Sequence, residues 1–252
     1  MNTDSPVAAT LPSGTLAAGA GAKLRALPST PTYWFAMFAA SALGTNLGDF
    51  ASDELGVSRW VSFAALAAIS LSGILADRRI AARSEAGYWV AIVALRAAAT
   101  NVGDVLTHDF RLGYAAVAAV LFVATLAAGA LTRRDDRGSR TPRIDGGYWI
   151  AMLLAGVFGT VGGDLASHTV GLYAAAGGLI AVLLAVLMLR ESLAPAALPV
   201  YWLVVLAERS AGTPVGDSLA SERAVGLGLY VAILVTGGVF VIGLLVRSTR
   251  PR

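Results

Sequence analysis

The chain has 252 residues, of which 56% are hydrophobic and 14% charged, with a net charge of +3 and a mean hydropathy of +0.69. A soluble domain carries roughly a quarter charged residues, so a soluble fold is excluded. Cysteine is absent, which removes disulfides and thiolate metal sites and leaves oxygen and imidazole as ligands for any cation.

Residues 1–32 are rich in Ala, Gly, Pro, Ser and Thr. Asp4 precedes any positive charge, and Pro6, Pro12 and Gly14 interrupt the apolar runs. A signal peptide begins with positive charge and a clean apolar stretch, so this segment is predicted to be a disordered cytoplasmic tail. From Tyr33 to Val246 apolar runs recur, each of about 20 residues and long enough to cross a bilayer core of about 30 Å. The predicted spans are 33–54, 58–76, 88–108, 113–132, 148–168, 172–190, 200–221 and 227–247.

These spans follow a repeat. The dipeptide "YW" stands at 33–34, 88–89, 148–149 and 201–202. Twelve residues after each Tyr comes a threonine (Thr45, Thr100, Thr160, Thr213), and sixteen after it an aspartate (Asp49, Asp104, Asp164, Asp217). Self-similarity without a single insertion is the signature of a repeat architecture. Each unit contains two spans joined by a Gly-containing turn ("ELGVS", "DFRLGY", "HTVGLY", "RAVGLGLY"). The expected fold is an all-α integral membrane protein with eight transmembrane helices as four tandem helical-hairpin repeats. The repeats cover about 33–79, 88–134, 148–190 and 201–247 of a single transmembrane domain, 33–247, and 248–252 form a second short cytoplasmic tail.

Lysine and arginine set the orientation. The tails and the loops between repeats hold 14 of the 19, whereas the four turns on the other side hold Arg59, Arg111 and Arg223. Both termini are therefore expected in the cytoplasm, with each "YW" at the cytoplasmic headgroup level. All four units then point the same way, about a pseudo-symmetry axis along the membrane normal. At a rise of about 1.5 Å per residue, the threonine lies about 18 Å and the aspartate about 24 Å beyond the tyrosine. An ionisable group at that depth is expected to face protein or water rather than lipid.

Positions eight, twelve, sixteen and twenty after each Tyr advance in steps of four and form one slanting helical face. Position eight holds Ser41, Arg96, Gly156 and Arg209; position twenty holds Asp53, His108, His168 and Ser221. The odd-numbered helices thus carry a polar stripe, and the even-numbered ones are expected to form an outer, lipid-facing ring. Gly44/Gly48, Gly159/Gly163 and Gly212/Gly216 are small-xxx-small pairs that let helices approach closely. Close packing needs no carboxylate, however. Four aspartates near one axis repel unless a cation or protons compensate.

The four Asp and four Thr are therefore the candidate cation-binding residues. Asp53, His108 and His168, each four residues after a motif Asp, are candidate metal ligands by the i, i+4 logic of helical metal sites, and imidazole with carboxylate suits borderline divalent ions. Arg96, Glu208 and Arg209 are candidate intramembrane charge partners, with a carboxylate on a neighbouring helix expected beside Arg96. Pro214 is expected to kink or break its helix.

The "YW…GTxxGDxLA…GLG" units resemble a family of uncharacterised bacterial multi-pass membrane proteins, often labelled only as membrane-anchored. The resemblance covers about 33–247 and implies eight spans in the cytoplasmic (inner) membrane. There is no P-loop and no Ser/His/Asp arrangement, so an enzyme is not expected, nor are a cofactor or a nucleic-acid partner. The expected partners are the lipid bilayer and a small cation. The expected function is transport of that cation, a divalent metal ion or one coupled to protons, through the aspartate ring. The alternatives are a cation channel using the same ring and a non-transporting structural or regulatory membrane protein.

Overall fold

The computed structural model describes residues 27–80, 84–133, 141–192, 197–221 and 224–249. Most of the two tails expected to be cytoplasmic, and Arg223, lie outside the described residues. Among them are eight helices: α1 (Pro31–Asp49), α2 (Arg59–Ile80), α3 (Ala86–Asp104), α4 (Tyr114–Ala130), α5 (Gly146–Val170), α6 (Leu172–Ser192), α7 (Ala197–Ala220) and α8 (Gly228–Thr249). Capping residues open two of the odd helices. Thr30 Oγ1 accepts from the Tyr33 amide at 3.2 Å, and Asp145 Oδ1 from the Tyr148 amide at 3.0 Å, satisfying amides that have no partner inside the helix.

Among the described residues five helices are long and apolar enough to cross a membrane: Arg59–Arg79, Ala86–Asp109, Gly146–Val170, Leu172–Arg190 and Gly228–Thr249; Tyr114–Ala130 is apolar but shorter. α1 and α7 are not among them, and both devote much of their length to buried polar residues, Ser41, Thr45 and Asn46 in one and Glu208, Arg209, Ser210 and Thr213 in the other. The chain is a membrane-like helical protein.

The odd helices form a closed ring of neighbours, α1 to α3, α3 to α5, α5 to α7 and α7 back to α1. The even helices lie outside it with large apolar side chains uncovered, among them Val120, Met188 and Leu234. One aspect of the hairpin expectation is corrected. The two helices of a unit are not each other's main partners: α2 packs on α3, α4 on α5, α6 on α7, and α8 on α1. Glycine explains the first pairing. A Cβ at Gly87 would lie 2.6 Å from the Asp77 amide nitrogen, and one at Gly73 would lie 2.9 Å from the Gly87 carbonyl oxygen. The backbones of α2 and α3 therefore touch where any larger residue would hold them apart.

α7 runs through Pro214 as one helix, so the expected break does not occur. The proline ring instead fills space beside Gly163, where a Cβ would meet its Cδ at 3.1 Å. The first two repeats also end differently from the last two. α1 and α3 pass into π-helical turns, Phe50–Glu54 and Val105–Asp109, closed by Leu55 N–H to Phe50 C=O (3.1 Å) and Phe110 N–H to Val105 C=O (2.8 Å). The widened turns release carbonyls, and hydroxyls take them up: Ser52 donates to Gly48 C=O at 3.3 Å and Thr107 to Gly103 C=O at 3.0 Å. Each π turn widens the helix locally around Asp53 and His108, whereas His168 stands in regular helix, and the three still line one cavity with the motif aspartates.

Candidate functional site: an axial stack of rings

Three layers of equivalent side chains stack along the axis of the odd helices. The first consists of the four tyrosines. Their hydroxyls close a ring, with O···O distances of 2.9 Å (Tyr33–Tyr88), 2.6 Å (Tyr88–Tyr148), 3.3 Å (Tyr148–Tyr201) and 2.7 Å (Tyr201–Tyr33). All four are at most 3% exposed, so they face one another across the axis rather than the surroundings of the bundle. The neighbouring tryptophans, Trp34, Trp89, Trp149 and Trp202, are buried too and stack edge-on against their own tyrosines. In the sequence the tyrosine stands at the origin of the same four-residue stripe, a placement that a headgroup belt and an axial ring share. Removing one hydroxyl opens two links, so Tyr148→Phe is expected to cost about 1 kcal/mol, read as a lowered melting temperature in detergent. An unchanged melting temperature would mean that the ring holds nothing together.

The second layer is formed by the threonines, and its centre is occupied. Arg96 reaches from α3 into the axis. Its Nη1 donates to Thr100 (2.9 Å) and Thr160 (2.8 Å), its Nη2 to Thr45 (2.8 Å) and Thr213 (2.7 Å), and its Nε to Ser41 (3.2 Å). A guanidinium has five N–H donors, and all five are used. The carboxylate partner expected from charge pairing is not what holds Arg96; five hydroxyls on all four odd helices do. Glycine makes room for this ring. A Cβ at Gly48 would lie 2.8 Å from Thr100, and one at Gly103 2.8 Å from Thr160, so each threonine enters the axis over the small residue of the preceding repeat.

Arg209 occupies the same repeat position but turns the other way. Its Nη2 lies 3.8 Å from Met152 Sδ, toward the tyrosines, and its Nε 3.5 Å from Glu208 Oε2. Both residues are at most 2% exposed, yet Arg209 Nε and Nη1 and both Glu208 oxygens lack a hydrogen-bond partner. Glu208 and Arg209 thus form a loose pair.

The third layer opens into a vestibule of about 370 Å³ lined by Asp49, Asp104, Asp164 and Asp217 with the four threonines at its floor. Asp53, His108 and His168 line it as well, with Arg59 and Tyr114. Arg59 pairs with Asp109 at 2.6 Å and approaches Asp104 at 4.0 Å. His108 Nδ1 is 3.7 Å from Asp104 Oδ1, its Nε2 is 3.3 Å from the Tyr114 hydroxyl, and the His168 ring lies 5.1 Å from that of Tyr114. Among the described residues no group of three or more His, Asp or Glu side chains could hold a metal ion. Asp53, His108 and His168 share the vestibule with the motif aspartates. The lining is five carboxylates against one guanidinium, and it suits a cation bound by spread charge rather than by a tight ligand shell.

No curated protein and no solved structure matches the chain. A family model described as "Repeat of Unknown Function (DUF347)" matches twice, over residues 32–76 and 87–137, and these matches coincide with the first two units, so the chain carries internal repeats of a kind found in other proteins.

Proposed function

We propose that the protein spans the bacterial cytoplasmic membrane eight times, with both termini in the cytoplasm, and carries a small cation through its axial site. The observation that supports this reading most is the vestibule: four aspartates, one from each repeat, around one cavity at the end of the helix ring. A cluster of carboxylates inside a membrane domain is expensive and brings no packing benefit that asparagine would not give. The bias of Lys and Arg toward the tyrosine end supports a vestibule on the non-cytoplasmic side. Arg96 and the tyrosine ring fill the axis beneath it, which favours a carrier that opens each side in turn over an open channel.

The same two rings support a second reading, a structural or regulatory membrane protein. They tie four helices together whether or not anything enters the vestibule.

Reconstitution into proteoliposomes separates the two. Asp49→Asn, Asp104→Asn, Asp164→Asn and Asp217→Asn keep shape and hydrogen bonding but delete charge. Each is expected to lower cation flux by tenfold or more while the protein still inserts and folds. Four variants with wild-type flux, or a wild-type protein that moves no cation, would leave the structural reading standing.

A further inference from the structure

We propose that the hydroxyl ring at the vestibule floor is a guanidinium-binding site, filled in this conformation by Arg96 and available, when Arg96 withdraws, to a small guanidinium-type cation from the vestibule. The proposal rests on the cation reading above and names the class of that cation.

The ring is built as an acceptor. Thr45, Thr100 and Thr213 spend their hydroxyl hydrogens on the backbone carbonyls of Ser41 (3.1 Å), Arg96 (3.3 Å) and Gly159 (3.0 Å), and Ser41 spends its own on Arg209 (3.4 Å). Lone pairs are what these groups present to the axis. Four threonines and a serine in this arrangement match the planar, five-donor pattern of a guanidinium. The ring is also too wide for a bare metal ion. Its threonine oxygens sit 2.7–2.9 Å from the guanidinium nitrogens, which themselves surround the central carbon. The ring centre is therefore farther from those oxygens than the ~2.0–2.6 Å of magnesium or calcium coordination.

Withdrawal has a template in the same molecule. Arg209 stands at the equivalent position of the fourth repeat and points toward Met152 and the tyrosines instead. An arginine at position eight can thus lie on either side of its own Cα level. The approach route is charged to suit: a guanidinium cation entering the ring passes the four aspartates first.

The test is chemical rescue. Arg96→Ala protein in lipid nanodiscs is titrated with guanidinium chloride and methylguanidinium at low millimolar concentration, against urea, tetramethylammonium, potassium and magnesium at matched ionic strength. The expected result is saturable binding of guanidinium and methylguanidinium, with a melting temperature several degrees higher, that urea (planar but neutral), tetramethylammonium (charged but without N–H) and the metal ions do not reproduce. Adding Thr160→Val is expected to weaken that binding about tenfold by deleting one acceptor. Arg96→Gln is the second variant, expected to show the same order of ligands at lower affinity, and it decides alone if Arg96→Ala cannot be recovered folded. No guanidinium binding, or an equal response to urea, tetramethylammonium or potassium, would overturn the proposal. Binding here together with a wild-type protein that transports nothing would keep the site and remove the carrier; aspartate-dependent flux without rescue would do the reverse.

Discussion

Arg96→Met is expected to destabilise the protein by about 3 kcal/mol. The side chain is 1% exposed and bonds to hydroxyls from all four odd helices at once. Methionine fills much of the volume but supplies no donor, so five hydroxyls lose a charge-assisted partner. The aspartate vestibule also loses the cation beneath its floor. Desolvation of the guanidinium opposes this loss, which keeps the figure well below the sum of five hydrogen bonds. The control is the pair Glu208→Gln and Arg209→Met, made together. Those side chains are equally buried but leave most of their polar atoms unpaired, so their joint replacement is expected to change stability by less than about 1 kcal/mol. Thermal or denaturant unfolding of both variants in the same detergent compares them directly. Equal stability of Arg96→Met and wild type would show that the ring contributes nothing to the fold.

Gly159→Ala is expected to cost about 2 kcal/mol or more from overpacking. A Cβ there would lie 2.6 Å from Arg209 Cβ and 2.7 Å from the Arg209 carbonyl carbon and oxygen. Backbone cannot rotate out of the way as a side chain does, so α5 and α7 must separate. That movement also strains the Thr213 bond to the Gly159 carbonyl and thereby the hydroxyl ring. Gly177 and Gly178 on α6 provide the contrast, since a Cβ at either meets nothing within 4 Å. Alanine there is expected to be neutral or stabilising by about 0.5 kcal/mol through helix propensity. A melting temperature for Gly159→Ala equal to that of Gly177→Ala would rule out the close crossing.

The eight helices were legible because each apolar run ends at a turn and the repeat fixes the frame. The four aspartates were legible as a group because a constant offset of sixteen residues puts them at one height. Four features were not. Tyrosine and tryptophan near a helix end suit a headgroup belt as well as an axial ring, and the offset alone does not choose between them. Arg96 and Arg209 share a repeat position, so nothing in the sequence says that one turns toward the threonines and the other toward the tyrosines. Pairing logic sought a carboxylate for Arg96, whereas five hydroxyls from different helices can be counted only once the helices are packed. The π turns after Asp49 and Asp104 have no counterpart after Asp164 and Asp217, although the four motifs read alike.

The partnership of α8 with α1 bears on how the chain is made. Each outer helix covers the inner helix that follows it in the sequence, so most surfaces find their partner within one more hairpin of synthesis. α1 is the exception: among the described helices it is the earliest in the sequence, and its outer face is covered by the latest, α8. The inner ring, and with it the ring of tyrosine hydroxyls, can close once α7 has arrived, but α1 keeps a bare outer face until α8 packs on it. Covering of the inner helices therefore finishes with the contact between α8 and α1, and removal of α8 leaves the outer face of α1 bare.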